Sequence, residues 1–136
     1  MLELAIVVAI VGLLAALTFP RVAIQLDRLA VRRAAGEAWS FYQTARFTAL
    51  VHGAPVRIQF RPDTLVAVFE LSPDSVFLTR PGPAADGVEL LGTKLVTRLH
   101  SNALGAGAAN LTLTFRRGNY QEKLTLSRLG RMKRWR

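Results

Sequence analysis

Gly130-Arg131-Met132-Lys133-Arg134-Trp135-Arg136 gathers four basic residues and one tryptophan into seven positions. Those residue types suit one kind of chemistry. Guanidinium groups present forked donors that match phosphate oxygens, and an ammonium adds a point charge. An indole can stack on a base exposed in a single strand. The same stretch also reads as a solvated charged end, or as a surface anchor on anionic lipid headgroups, with Trp135 packed against the fold. Arg128 lies just upstream. Arg116 and Arg117, beside the Gly118 turn, extend the patch if the strands that carry them pair. From residue 111 onward there are eight Lys and Arg against the single acid Glu122, in a chain whose net charge is +9. Excess charge of this sign calls for an anionic partner.

The second chemically informative residue is Glu3. Leu4 to Phe19 reads LAIVVAIVGLLAALTF without a charge. A helix needs about 20 apolar residues to cross a bilayer, about 17 at the short end. A carboxylate one turn inside such a helix is costly unless it is paired. Three readings are open: a cleaved signal peptide, a plain transmembrane anchor, and an anchor whose carboxylate pairs with another subunit. The first lacks a basic segment ahead of the run and a small-x-small cleavage site.

Catalytic and metal chemistry finds little to use. His52 and His100 stand far apart in different elements, and neither has metal-ligand spacing to a second ligand. Asp63, Asp74 and Asp86 fall in turns, where Asp bonds its own backbone. Gly105-Ala106-Gly107-Ala108-Ala109-Asn110 lacks the Lys of a phosphate loop. Neither an enzyme, nor a metal site, nor a cofactor is expected. The chain has no cysteine, which excludes a disulfide scaffold. With 51% hydrophobic and 20% charged residues in 136, it is one foldable domain rather than a disordered chain.

The elements that must position these residues follow from periodicity. Beyond Pro20, which should bend the helix or break its ladder locally, Val22, Leu26, Ala30, Ala34, Ala38, Phe41, Ala45 and Ala49 recur every three or four residues. They define one amphipathic face up to His52, where Gly53-Ala54-Pro55 stops the helix. Trp39, Phe41, Tyr42 and Phe47 are read as core aromatics. After Pro55 the period becomes two. Strands are expected at Val56–Phe60, Leu65–Leu71, Val76–Thr79, Val88–Leu91, Lys94–Leu99, Leu111–Phe115 and Lys123–Ser127. Turns are expected at Pro62-Asp63, at Ser72-Pro73-Asp74 and, as a hairpin, at Arg117-Gly118-Asn119-Tyr120. Arg80 to Gly87 reads as a loop, and Ser101 to Asn110 as a flexible surface loop. The result is an α+β chain: a helix with an apolar half (1–20) and an amphipathic half (21–52), a β-rich head (53–127) and a basic tail (128–136).

Leu2-Glu3-Leu4 followed by VVAIVGLLAALTFPRV resembles the start of type IV pilins and pseudopilins. In that family a peptidase removes a leader after Gly, the new N-terminal residue is methylated, and a glutamate and a proline occupy the spacing of Glu3 and Pro20. Met1 falls where the third mature residue would stand, so the leader and its cleavage glycine are not visible in this sequence. Processing by a prepilin peptidase is therefore what the resemblance implies. It also implies an inner-membrane anchor with the head in the periplasm, although Arg21, Arg28, Arg32 and Arg33 follow the apolar run. The expected fold is pilin-like, one long helix packed by its second half on an antiparallel sheet. Glu3 and Pro20 are then assembly residues, Glu3 pairing with a neighbouring subunit's N-terminal amine.

Ala45-Arg46, LVHGAPVRIQF and the ending Leu126-Ser127-Arg128-Leu129-Gly130-Arg131 are similar to the GspH and FimT branch of minor pseudopilins and minor pilins. Some FimT-type members bind DNA through Gly-Arg-x-Arg, to which Gly130-Arg131-Met132-Lys133-Arg134 is similar, with Lys in place of Arg. The resemblance implies other pilin subunits and the inner membrane as partners, with two functional readings. One is DNA capture in natural transformation through Arg128, Arg131, Lys133, Arg134, Trp135 and Arg136, with Arg116 and Arg117. The other is a pseudopilin of type II secretion whose tail touches protein partners at the filament tip. A membrane-tethered adhesin or lipid-binding module is a third.

Overall fold

The computed structural model describes residues 2–92, 94–105 and 111–135, apart from the side chains of residues 17–20 and Pro73. Helix α1 runs from Leu2 to His52, about 75 Å at 1.5 Å per residue. It is continuous through position 20, so Pro20 does not end it. Its N-terminal part is long and apolar enough to cross a membrane, with a mean hydropathy of 2.6 over eighteen residues, none of them buried.

Among the described residues eight strands follow: β1 (Val56–Phe60), β2 (Thr64–Phe69), β3 (Ser72–Pro81), β4 (Glu89–Gly92), β5 (Val96–Leu99), β6 (Leu111–Arg117), β7 (Tyr120–Leu126) and β8 (Met132–Trp135). They form two four-stranded sheets, β3-β2-β1-β5 and β4-β6-β7-β8. Every pairing is antiparallel. The architecture is α+β, one long helix packed by its second half against antiparallel sheet. The antiparallel head is divided into two short sheets.

One core joins helix and sheets. Val31, Ala34, Ala35, Ala38, Phe41, Tyr42, Ala45 and Ala49 are buried on α1, against Ile58, Phe60 and Leu65 of the first sheet and Leu113, Phe115 and Leu124 of the second. The alanines let the backbone of α1 come close to both sheets, while Phe41 fills the space above Phe60 with an edge-on ring contact, centroids 6.3 Å apart. Each large side chain buried this way contributes about 1.5–3 kcal/mol.

The helix face needs two corrections. Val22 and Leu26 are exposed, because the sheets begin only beside the next turns. Trp39 and Phe47 are also exposed, at 42% and 67%. They fall outside the stripe made by Ala34, Ala38, Ala45 and Ala49, so only Phe41 and Tyr42 of the four aromatics belong to the core.

The loops changed more than the strands. Part of the segment from Arg80 to Gly87 is a 3-10 helix, Pro83–Asp86. Ser72 to Asp74 already belongs to β3, with a register irregularity between Ala67 and Phe69 of β2. Of the segment from Ser101 to Asn110, the first half is a hydrogen-bonded turn, with His100 N–H donating to Leu104 O and an antiparallel bridge between Leu99 and Gly105. Residues 106–110 lie outside the described residues. The largest correction is at the C-terminal end. The basic tail is not a tail: Met132–Trp135 is a strand, paired with β7.

Candidate nucleic-acid interface

The turn that makes β8 a strand is built around Gly130. Ser127 N–H donates to Arg131 O at 2.9 Å, and Gly130 N–H to Ser127 O at 3.0 Å. This is a three-residue hairpin loop whose last residue must be left-handed, and Gly130 has φ +70°. Its carbonyl accepts a hydrogen bond from Tyr42 Oη at 3.0 Å, which ties the turn to α1.

Tyr42 is fully buried. Burial pushes its phenol up from 10 to about 12, and the Arg46 guanidinium partly offsets the rise. Below pH 10 the phenol is neutral in both the folded and the unfolded chain, and the fold keeps its full stability. Between pH 10 and 12 the unfolded chain releases the proton while the folded chain still holds it, so stability falls as pH rises. The expected loss is about 2–3 kcal/mol. Urea melts at pH 9, 10 and 11 should show a steeper decline for the wild type than for Tyr42→Phe. At pH 7 the variant should be less stable by about 1–2 kcal/mol, for the lost bond and the stranded Gly130 carbonyl. Parallel declines in the two proteins would exclude Tyr42 as the group responsible.

Strand alternation then sorts the basic residues onto two faces. In β7, Glu122, Leu124 and Leu126 point into the core, while Gln121 and Lys123 are exposed. In β8, Met132 and Arg134 are partly buried and Lys133 and Trp135 exposed. Register places Lys123 directly opposite Trp135, and Thr125 opposite Lys133. Lys123, Lys133 and Trp135 therefore share the outer face. The Lys133 ammonium sits 3.9 Å from the centre of the Trp135 ring.

Arg134 faces the other way. Its Nε and Nη2 lie 2.7 and 2.6 Å from Glu122 Oε2. Nη2 also donates to the Arg32 carbonyl of α1 at 3.1 Å. Tyr120 Oη donates to Glu122 Oε1 at 3.1 Å, and Arg32 Nε stands 3.8 Å from the same oxygen. Glu122 is 1% exposed. This group is a structural lock between β7, β8 and α1.

Arg116 and Arg117 are also engaged. Arg116 forks onto Glu89 Oε2 at 3.0 and 2.7 Å on the outer face. Arg117 pairs with Asp27 at 2.9 Å and donates to Asp86 O at 2.6 Å. The strands carrying them do pair with the C-terminal hairpin, since β7 lies between β6 and β8. Their charges, however, are already matched by acids. Among the described basic residues from Leu111 onward, Lys123, Arg128, Arg131 and Lys133 have no carboxylate partner.

The candidate residues thus divide. Arg131, Lys133 and Trp135, with Arg128 in the turn, are exposed on one hairpin. Arg134, Arg116 and Arg117 lie nearby but are held by acids. Arg136 lies outside the described residues. Glu3 is exposed in the first turn of α1, far along the sequence from this hairpin, and makes no ion pair among the described residues. Pro20 is helical, and its side chain is outside the description. Lys123 was not anticipated. Its signal was available in the alternation of β7, but only once β8 was known to pair with it.

This arrangement of helix and sheets is the type IV pilin-like fold. It is shared by crystal structures of the type IV minor pilin FimU of Pseudomonas aeruginosa. One superposes with a TM-score of 0.67 at 17% identity, covering 79% of this chain and 89% of that one. The other, a second crystal form, gives 0.64 at 15% identity, with 77% and 92% covered. No protein-family model matches the chain, and no curated protein sequence does.

Proposed function

We propose that the chain is a minor pilin or pseudopilin subunit of a type IV filament-class machine, and that its C-terminal hairpin captures DNA in natural transformation. The pilin-like fold and the apolar half of α1 support the first part. The second rests on one observation: among the described residues, the cations Lys123, Arg128, Arg131 and Lys133, gathered on a single hairpin, have no carboxylate partner. In this reading residues 1–20 anchor the subunit in the inner membrane with the head in the periplasm, and later pack in the filament. A prepilin peptidase processes the precursor. Glu3 meets a neighbour's N-terminal amine, and Pro20 sets the helix path between subunits.

Neutralising about four phosphates gives a slope near −3.6 in log affinity against log salt. Raising salt from roughly 50 to 200 mM should therefore weaken DNA binding about a hundredfold. The check is a titration of labelled DNA against the full chain in neutral detergent micelles. The variant Lys123→Ala, Arg128→Ala, Arg131→Ala, Lys133→Ala should lose this binding, whereas Arg116→Ala with Glu89→Ala, which removes a matched pair, should change it little. If the wild type fails to bind at the lower salt, DNA capture is wrong. The hairpin then becomes a contact for protein partners, as in a GspH-type secretion pseudopilin.

A further inference from the structure

We infer that the hairpin takes nucleic acid as a single strand, with Trp135 as the stacking platform. This rests on the DNA-capture reading and narrows its substrate. Trp135 is 50% exposed, although it belongs to a paired strand. Alternation puts it on the solvent side of the second sheet, where it contributes nothing to the core. Lys123 stands directly across from it on β7. Lys133, two residues earlier on the same face, holds its ammonium 3.9 Å from the ring centre.

An exposed aromatic flanked by unpaired cations is the arrangement that binds single strands: the cations follow the backbone and a base stacks on the ring. Duplex bases are already stacked on one another. The lysines would serve duplex phosphates equally well, and the indole would then have no role. The outer face is also poor in competing charge. Among the described residues of the second sheet, Glu89 is taken by Arg116, and Glu122 points inward to Arg134. Lys133 over the ring is a surface cation–π contact, among the weaker interactions of its class, so an arriving base can displace it or use the remaining exposed ring.

The experiment is a titration of full-length protein in neutral micelles with a labelled oligothymidine of about 20 nucleotides. A duplex of the same length runs beside it, both at low salt. The single strand should bind more tightly. Trp135→Ala should weaken single-strand binding about five- to a hundredfold, lower duplex binding far less and leave the thermal melt unchanged. Trp135→Phe should retain most of the affinity. In a Trp39→Phe background, which removes the other indole, the remaining fluorescence should be quenched by oligothymidine. Equal binding of both forms, or a single-strand affinity that Trp135→Ala does not lower, overturns the stacking platform while DNA capture stands. Unquenched fluorescence on saturation does the same. Loss of both single-strand and duplex binding in the wild type overturns DNA capture itself.

Discussion

Replacing Arg134 with alanine should destabilise the head by about 3 kcal/mol, at the low end of what breaking a buried pair costs. Glu122 is buried beneath β8, and Arg134 supplies its two shortest contacts, 2.6 and 2.7 Å. Removing the guanidinium leaves a carboxylate with only Tyr120 Oη at 3.1 Å and Arg32 at 3.8 Å. Those two partners hold the cost below the top of the range. The Arg32 carbonyl also loses its side-chain donor. The melting temperature should fall by roughly 10–15 °C. The pairing explanation makes a second demand. Changing both partners together, Glu122→Met with Arg134→Met, should recover most of the loss, because no buried charge remains. Arg134→Lys should lie between, since an ammonium cannot reproduce the fork. A near-normal melt for Arg134→Ala would mean that the Glu122 cluster does not hold the hairpin.

The same variant separates two accounts of the C-terminal motif. A motif reading makes Arg131 and Arg134 equivalent ligands for phosphate. The strand geometry does not, because Arg134 lies on the inner face of β8 and is committed to Glu122. DNA affinity measured below the variant's melting temperature should change far less for Arg134→Ala than for Lys133→Ala combined with Arg131→Ala. The proposed interface then rests on positions 123, 128, 131 and 133.

Sequence periodicity found the framework because burial wrote it there. The stripe from Ala34 to Ala49 and the alternation of β1, β6 and β7 each mark a surface that must leave water, and each was legible without coordinates. Hydrophobicity alone could not place Trp39 and Phe47. Their type suggests burial, but their positions lie outside the alanine stripe, and position decides. The C-terminal strand was hidden for a different reason. Met132–Trp135 has one strongly apolar residue facing in and a charged one beside it, so no hydrophobic alternation announces it. It is a strand because a buried acid on β7 needs an arginine, and because the Gly130 turn returns the chain to β7. Both causes are tertiary. The candidate site was therefore legible as a composition, basic with one indole, and illegible as a surface. Which cations are free depends on Glu89, Asp27 and Glu122, residues distant in sequence from those they neutralise.

Gly130 carries the second large effect. Gly130→Ala should cost about 3 kcal/mol and loosen β8. Two terms contribute. A residue with a Cβ held at φ +70° pays roughly 1–2 kcal/mol for the left-handed conformation. The Cβ would also stand 2.5 Å from the Ala103 carbonyl oxygen, a backbone atom that cannot rotate aside. Relieving that contact means moving the turn away from residues 103–105. Movement stretches the Tyr42 hydrogen bond to the Gly130 carbonyl and the Gly105 N–H bond to Arg128 O. Arg46 Nε, buried without a partner, and Tyr42 Oη each lie 3.5 Å from the same Cβ position, so the space on that side is closed as well. Hydrogen exchange should show the amides of β8 losing protection while those of β1 and β2 keep theirs, since neither strand is hydrogen-bonded to this turn. The glycine of the Gly-Arg pair thus acts on the fold, and the arginine beside it acts on solvent. Weaker DNA binding by Gly130→Ala would follow from a misplaced Lys133 and Trp135, and it should be accompanied by the exchange change in β8. Weakened binding with β8 fully protected would instead place Gly130 itself at the nucleic-acid contact.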